Sequence, residues 1–302
     1  MTRMFKHSHY EKDFICDVLG GIMSVFYFIT ILINLSVNAS ILVKSQIHSI
    51  DEGKKEEETL VFLTTGQVLR IKKTEAIQNR DFIKAKDLKQ WVHFQLGKKH
   101  SIENYWIHSS STKGNKKDIY QNIQEETYSP TVIENIDLVT NYFREARYVD
   151  KESQCYNRAH IWAYEWFTKN SINSMKTWLF FTRRYIRKFK FDWWFHVSPS
   201  VRLLNNGLQK EMVMDVKYAR GPLDLKNWTN IFMRDDANCP MVKTYSDYAN
   251  YPESGSCFTM RTSMFYYQPV DIETKEAWGT IKANWYDEEI KQAYLEGFDE
   301  VL

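Results

Sequence analysis

Glycine and proline are scarce in this chain, at 11 and 6 of 302 residues, which excludes collagen-like, linker-rich and low-complexity architectures. A marked excess of charge of either sign is also lacking. The formal net charge is +2, so charge alone recommends neither a nucleic-acid binder nor a receptor for polyanions. There is no HExxH, no pair of CxxC motifs, no clustered His and Asp set and no glycine-rich phosphate loop, so no metal and no cofactor are expected. No internal repeat is present. What the chain does hold is apolar and aromatic side chains, 43% and 15% of its residues, enough for one large core or two modest ones.

The longest apolar run is "VLGGIMSVFYFITILINL", eighteen residues from Val18 to Leu35, interrupted by Ser24, Thr30 and Asn34. "SVNAS" follows, where Val37 and Ala39 satisfy the small-residue rule for cleavage after Ala39. Ahead of the run, Arg3, Lys6 and Lys12 are offset by Glu11, Asp13 and Asp17, and the run itself approaches the length of a membrane span. Residues 1–39 therefore read as an export signal, with an uncleaved signal anchor as the alternative and a buried core helix as the third reading. Either leading reading places the rest outside the cytoplasm, secreted or periplasmic, and in contact with a membrane only if the segment is retained.

That placement governs the four cysteines. Cys16 precedes the apolar run and leaves with it. The remaining three imply one disulfide and one free thiol. Cys239 and Cys257 flank "PMVKTYSDYANYPESGS", a loop-rich stretch whose closure is worth about 3 kcal/mol, so they are the expected pair. Cys155 remains. A helical pattern starts there, with Ala159, Trp162, Ala163 and Trp166 recurring at three- and four-residue spacing after the polar "VDKESQ". A cysteine at a helix start meets unpaired backbone N–H groups and the positive end of the helix dipole, which favour a thiolate and can also receive an oxyanion. His160 is the nearest histidine. Five helical residues turn the chain so that the two side chains point about 140° apart. His160 is thus a structural residue of the helix, and a reactive Cys155 needs a histidine from elsewhere.

The rest has a coarse plan. Residues 40 to about 58 are charged and read as a mobile stretch. "LVFLTTGQVLRIKK" reads as two strands around Gly66, and "RDFIKAKDLKQWVHFQL" fits strand or helix equally. "SSSTKGNKKD", Ser109 to Asp118, has the composition of a linker. Val132, Ile136, Val139 and Phe143 mark an amphipathic helix opened by Ser129-Pro130. Beyond the Cys155 helix come strands: "KTWLFF", then a basic-aromatic bend "TRRYIRKFKF", then "DWWFHVSPSV", "KEMVMDVKYA" and "FTMRTSMFYYQPV". "DEEIKQAYLEGF" is a closing helix with Asp287 as its cap. The bend has the look of a nucleic-acid surface. At the overall charge of +2 it reads instead as a solvated turn or a patch for acidic substrate proteins, and no nucleic acid is expected as a partner.

Alternation along two of these strands singles out two residues. Trp194, His196 and Ser198 share one face of their strand, and Val213, Asp215 and Lys217 share one face of the next. An antiparallel pair joined by "LLNNGLQK" brings His196 beside Asp215, giving a buried carboxylate the partner it requires. A nucleophile at a helix start, a base on a strand and an orienting acid on its neighbour fill the three roles of a catalytic triad.

These residues carry a resemblance. "SQCYNRAH" at Ser153 to His160, "WWFHVSP" at Trp193 to Pro199 and "MVMDVKYARGPL" at Met212 to Leu223 resemble the protein glutaminases, bacterial protein-glutamine deamidases with a transglutaminase- and papain-like core. The likeness runs from about Thr131 to Val270. It implies an α+β fold with the nucleophile at a helix N-terminus packed on an antiparallel sheet, and a domain order of 1–39 signal, 40–118 pro-like or accessory region and 119–302 catalytic domain. It implies that Cys155 is the nucleophile, His196 the base and Asp215 the orienting acid, with the Cys155 N–H and Gln154 as oxyanion candidates. The implied substrates are glutamine-containing proteins, hydrolysed through a Cys155 thioester to glutamate and ammonia. The same family suggests an inhibitory N-terminal segment. A strand such as "TLVFLTT" could then lie across the Cys155 cleft, and the exposed polar "SSSTKGNKKD" offers a protease Lys113, Lys116 or Lys117. The alternative is that residues 60 to 108 are an integral part of the catalytic fold. Trp193 and Trp194 either border the substrate channel or are packing. Transglutaminase-like and cysteine peptidase activities, or a non-catalytic exported binding domain of the same fold, are the alternatives.

Overall fold

The computed structural model describes residues 41–298 apart from 54–56, 73–75, 98–100, 108–119, 123–127, 149–153, 252, 275 and 279–286. The proposed signal over 1–39 and the linker-like Ser109 to Asp118 lie outside the described residues. The first half forms β1 (Ile41–Asp51), β2 (Glu58–Leu63), β3 (Val68–Lys72), α1 (Ala76–Asp87), β4 (Trp91–Leu96) and β5 (Ile102–Ile107). The strands make one antiparallel sheet in the order β3-β2-β1-β4-β5. Residues 41–51 of the charged stretch expected to be mobile thus form the central strand. Its β-branched Ile41, Val43, Ile47 and Ile50 outweigh the charges, because both flanks of β1 find ladder partners.

One face of this sheet is aliphatic. Ile47, Val61, Leu63, Leu69, Ile71, Val92 and Phe94 close over Phe82 and Ala85 of α1. From the opposite face, Leu60, Phe62 and Val68 enter a second core that also contains Cys155 and Phe195. The turn between β2 and β3 needs its glycine twice over. Gly66 has a φ of +93°, and a Cβ there would come within 3.0 Å of the Phe195 ring.

The second half continues with β6 (Tyr120–Asn122), β7 (Val132–Ile133), α2 (Ile136–Glu145), α3 (Cys155–Asn170), β8 (Met175–Phe181), α4 (Arg183–Phe189), β9 (Phe195–Asn205), β10 (Leu208–Val213), α5 (Leu225–Phe232), α6 (Tyr245–Asn250), β11 (Cys257–Ser263), α7 (Pro269–Thr274), β12 (Glu276–Trp278) and α8 (Asp287–Phe298). Its main sheet runs β10-β9-β8-β11, all antiparallel, with β7 added parallel to β9 and β6 paired with β12 apart from it. The turn from β9 to β10 is Asn206-Gly207 with φ of 50° and 76°, the two-residue hairpin in which both residues must accept positive φ. α3 packs across β9 and along α8, so the helix that starts at Cys155 lies on an antiparallel sheet in an α+β arrangement.

Three elements differ from the sequence reading. α2 starts at Ile136 under an Asn135 cap whose side chain accepts from Asp137 N, while Val132 belongs to β7. The basic-aromatic bend is the helix α4, capped by Thr182 and buried through Tyr185 and Ile186. β10 ends at Val213, so Asp215 stands just beyond the strand, where the chain turns back to pair Val213 with Leu223. Cys239 and Cys257 are joined as a disulfide, and Cys155 is a free, buried thiol.

Candidate active site

Cys155 is the first residue of α3, after Gln154 at the cap position. The first main-chain bond of the helix runs from Arg158 N to Gln154 O, so the N–H groups of Cys155, Tyr156 and Asn157 have no acceptor within the helix. Gln154 makes no side-chain cap, and its buried Oε1 has no hydrogen-bond partner among the described residues.

His196 is the second residue of β9 and sits opposite Leu179 of β8, in the middle of the sheet. Asp215 is carried to it from beyond β10. Met214 N bonds the Pro199 carbonyl, and Tyr218 N and Ala219 N close a turn on the Asp215 carbonyl. With the backbone held this way, Asp215 Oδ2 lies 2.7 Å from His196 Nε2, and the Trp228 indole donates to the same oxygen at 2.9 Å. Cys155 lies close enough to His196 to help hold the proton of its imidazole. Nε2 is engaged by the carboxylate, which leaves Nδ1 for the sulfur. The three side chains are buried, at 4%, 7% and 1% exposure for Cys155, His196 and Asp215.

Burial alone would push the His196 imidazole down. The charge and hydrogen bond of Asp215, with the contribution of Cys155, reverse this and raise it to about 9. Burial works against the Asp215 carboxylate too, yet His196, the Trp228 N–H and the charge of Arg158 hold it below its ordinary value. At neutral pH the pair is therefore an imidazolium against a carboxylate.

The walls are aromatic. Phe232, Tyr218 and Trp228 lie 4.3, 5.2 and 5.7 Å from His196 by ring centres. Tyr218 is half exposed and makes a rim, with the Arg158 guanidinium 5.8 Å from its ring. Sequence reasoning missed Trp228, Phe232, Tyr218 and Arg158. Trp228 and Phe232 recur four residues apart in "LKNWTNIF", the signal of a helix with one buried face. Trp194 is packing: its indole donates to the Leu63 carbonyl at 2.8 Å, and the His48 ring stacks on it at 4.6 Å. His160 points elsewhere, into a buried cluster with Lys176.

The fold is α+β, and the site gathers a buried cysteine at a helix start with a histidine from the antiparallel sheet beside it and an aspartate from just beyond β10. Residues 117–232, which contain all three, match the family model described as "Glutaminase". The match agrees with the resemblance that the motifs of this segment carry. The chain is similar to a crystal structure of pro-protein-glutaminase, with a TM-score of 0.50 and 17% identity over 84% of this chain and 92% of that one. It is also similar to a mutant of pro-protein-glutaminase, with a TM-score of 0.53 and 16% identity over the same shares. No curated protein matches the chain. Family and fold together support protein-glutamine deamidation in general, a hydrolysis of side-chain amides.

Proposed function

We propose that the chain is an exported protein-glutamine deamidase working through a Cys155 thioester, with residues 40–118 as a pro-like cover. The observation that carries this reading is the grouping of Cys155, His196 and Asp215 at the free N–H groups of α3, inside the matched segment. The Cys155 thiolate attacks the γ-carboxamide carbon of a protein-bound glutamine. The oxyanion is received by the Cys155 N–H and by Gln154. The His196 imidazolium gives its proton to the departing nitrogen, ammonia leaves, and the thioester remains. The now neutral His196 takes a proton from water, hydroxide adds to the thioester carbon, and collapse returns the thiolate, the imidazolium and glutamic acid, whose proton passes to the released ammonia to leave glutamate and ammonium. Asp215, fixed by Trp228, keeps Nε2 protonated throughout and so leaves Nδ1 for the reacting atoms.

The cover reading rests on where the β2–β3 hairpin lies. Trp194 N bonds Gly66 O, Val68 N bonds Asp192 O, and Leu60, Phe62 and Val68 pack in the core that holds Cys155. Two salt bridges add to the seam, Arg187 with Asp51 and Arg70 with Asp192. The likeness to the pro-form spans 84% of this chain, a share that residues 119–302 alone do not supply.

The test is ammonia release against new N-termini from one glutamine-rich protein, using wild type and Cys155→Ala, before and after limited proteolysis. The reading expects ammonia without new N-termini, more of it after proteolysis, and none from Cys155→Ala. New N-termini mean a peptidase, crosslinked product a transglutaminase, and neither a binding domain.

A further inference from the structure

The nucleophile helix carries a second buried polar line that the chemistry above does not use. His160, on the side of α3 turned away from His196, is 1% exposed, and Lys176 of β8 is fully buried. The Lys176 Nζ lies 2.7 Å from His160 Nδ1 and also donates to the Tyr266 carbonyl. On the other edge of the imidazole, Nε2 faces Glu289 Oε2 of α8 at 3.8 Å. Burial, and next the Lys176 charge, hold His160 well below its ordinary value, so Nδ1 is a lone-pair acceptor and Nε2 carries the hydrogen. Burial likewise lowers the Lys176 amine to about 7 against the opposing charges of Glu289, Asp271 of α7 and Cys155. The Tyr267 ring completes the surround, 4.8 Å from His160.

α8 is tied to the same helix at two further points. Asn157 donates to Glu296 at 2.9 Å and accepts from the Tyr267 hydroxyl, and the Tyr294 hydroxyl donates to Glu165 at 2.8 Å. Asn157, His160 and Glu165 lie along α3 behind Cys155, one tie after another. A buried ammonium is expensive, and well-packed apolar residues of the same volume are often as stable or more so. Such a cluster fixes one rotation and one depth of a helix where an apolar contact tolerates sliding.

We propose that Lys176, seated by His160 and braced through Glu289 by α8, is a positioning residue that sets the rotation of α3 so that the Cys155 sulfur meets His196. It touches no reacting atom. Its effect on the site passes through Cys155 alone.

The test uses the full chain with Lys176→Met and His160→Leu, and His160→Gln, whose amide oxygen can replace Nδ1, as the conservative variant. The first readout is the His196 imidazole titration followed by NMR. Cys155 helps to raise His196, so Lys176→Met and His160→Leu are expected to lower its midpoint and His160→Gln to restore it. In a Cys155→Ala background, where the sulfur is already gone, Lys176→Met should move the midpoint no further. The second readout rests on the deamidase reading: kcat should fall about 10- to 100-fold with KM nearly unchanged. Because the NMR arm needs no turnover, an inactive wild type sinks the deamidase reading and leaves this inference standing. A folded Lys176→Met with wild-type His196 titration overturns the inference. So does a further shift in the Cys155→Ala background, or a failure of both Lys176→Met and His160→Leu to fold, since the cluster would then serve stability only.

Discussion

The two sheets bury different chemistry. Among the described residues of the N-terminal sheet the buried polar side chains are Ser45 and Thr59, and the rest of its core is aliphatic with Phe82 and Phe94. The second half buries Arg158, His160, Glu165, Lys176, His196 and Asp215. A hydrocarbon core needs only volume and pattern, whereas each buried charge needs a partner placed to within fractions of an ångström. The first sheet is made to hold a shape and the second to hold charges at an interior, which is where perturbed titrations and chemistry gather. The seam between them resembles neither core. It combines the ion pairs of Arg187 with Asp51 and of Lys190, just past α4, with Glu58, the stacked His48 and Trp194 rings, and the apolar contribution of Leu60, Phe62 and Val68.

The largest expected effect tests whether the charged core is the working one. Cys155→Ala and His196→Ala should remove ammonia release, and Asp215→Asn should lower kcat by about 10⁴ because the imidazole loses its tautomer. Trp228→Phe, which removes one donor to Asp215 and leaves the carboxylate, should cost far less. Equal losses for Asp215→Asn and Trp228→Phe in an ammonia assay would put the indole, rather than the carboxylate, in control of the histidine.

The aliphatic core should fail separately. Phe82 is buried against Phe94 and Tyr105 at 5.7 and 4.8 Å, so Phe82→Ala should destabilise the N-terminal sheet by about 3–5 kcal/mol. Hydrogen exchange should rise across β1 to β5 and stay unchanged in β8 and β9. If the first sheet is a cover, ammonia release by the uncut chain rises with it. Exchange rising in both sheets together would make them one cooperative unit.

How much of this was legible in the chain depended on range. Features that rest on one element or one hairpin could be read directly: the helix start at Cys155, the turn that holds Asn206-Gly207, and the alternation that brings His196 and Asp215 together, 2.7 Å apart in the structure. Alternation carried Asp215 to the correct partner for a reason that was only partly right, since β10 stops at Val213 and a turn completes the approach. Residues that act across elements left no local mark. Trp228 reaches Asp215 from a helix thirteen residues on, and Lys176 reaches His160 from the next strand. β1 was hidden by its flanks, because composition averages over Ile47 and Ile50 while a strand uses them one at a time.

Two histidines sharpen the comparison through pH. His48 sits in the seam, its Nε2 2.8 Å from the Tyr245 hydroxyl, and burial, with Lys86 and Arg183 nearby, lowers it to about 4. A free chain would protonate it near 6.5, so acid costs the docked state stability, beginning as pH falls through 6.5 and complete below about 4. His196 is raised to about 9, so its contribution is full below 6.5 and is lost as pH rises through 9. Each window is worth on the order of 3 kcal/mol. The Trp194 indole N–H, bonded to the Leu63 carbonyl, reports the seam. Its exchange should quicken between pH 6.5 and 4 in wild type and lose that acceleration in His48→Gln. The difference in melting temperature between wild type and His196→Gln should shrink as pH rises from 7 to 10. A seam that is insensitive to acid would assign the docking to its apolar contacts instead.

The smallest effects separate the two acidic contacts of the seam. The Asp51 and Arg187 side chains are 13% and 15% exposed, and Arg187 also reaches the Asp51 and Glu58 carbonyls, so the guanidinium is anchored at several points. Glu58 pairs with Lys190 at 2.9 Å, but these side chains are 36% and 66% exposed and water competes for both. Hydrogen bonds to a charge with little exposure are worth about 1.5–3 kcal/mol, while open pairs are worth about 0–1 kcal/mol. Asp51→Asn should therefore loosen the seam measurably, as faster exchange of the Trp194 indole N–H, and Glu58→Gln should leave it within error. A double-mutant cycle of Asp51→Asn with Arg187→Gln should return a coupling of about 1 kcal/mol or more that salt changes little. If Glu58→Gln proves the more damaging of the two, α4 holds the N-terminal sheet through its solvent-exposed end, and added salt alone should release it.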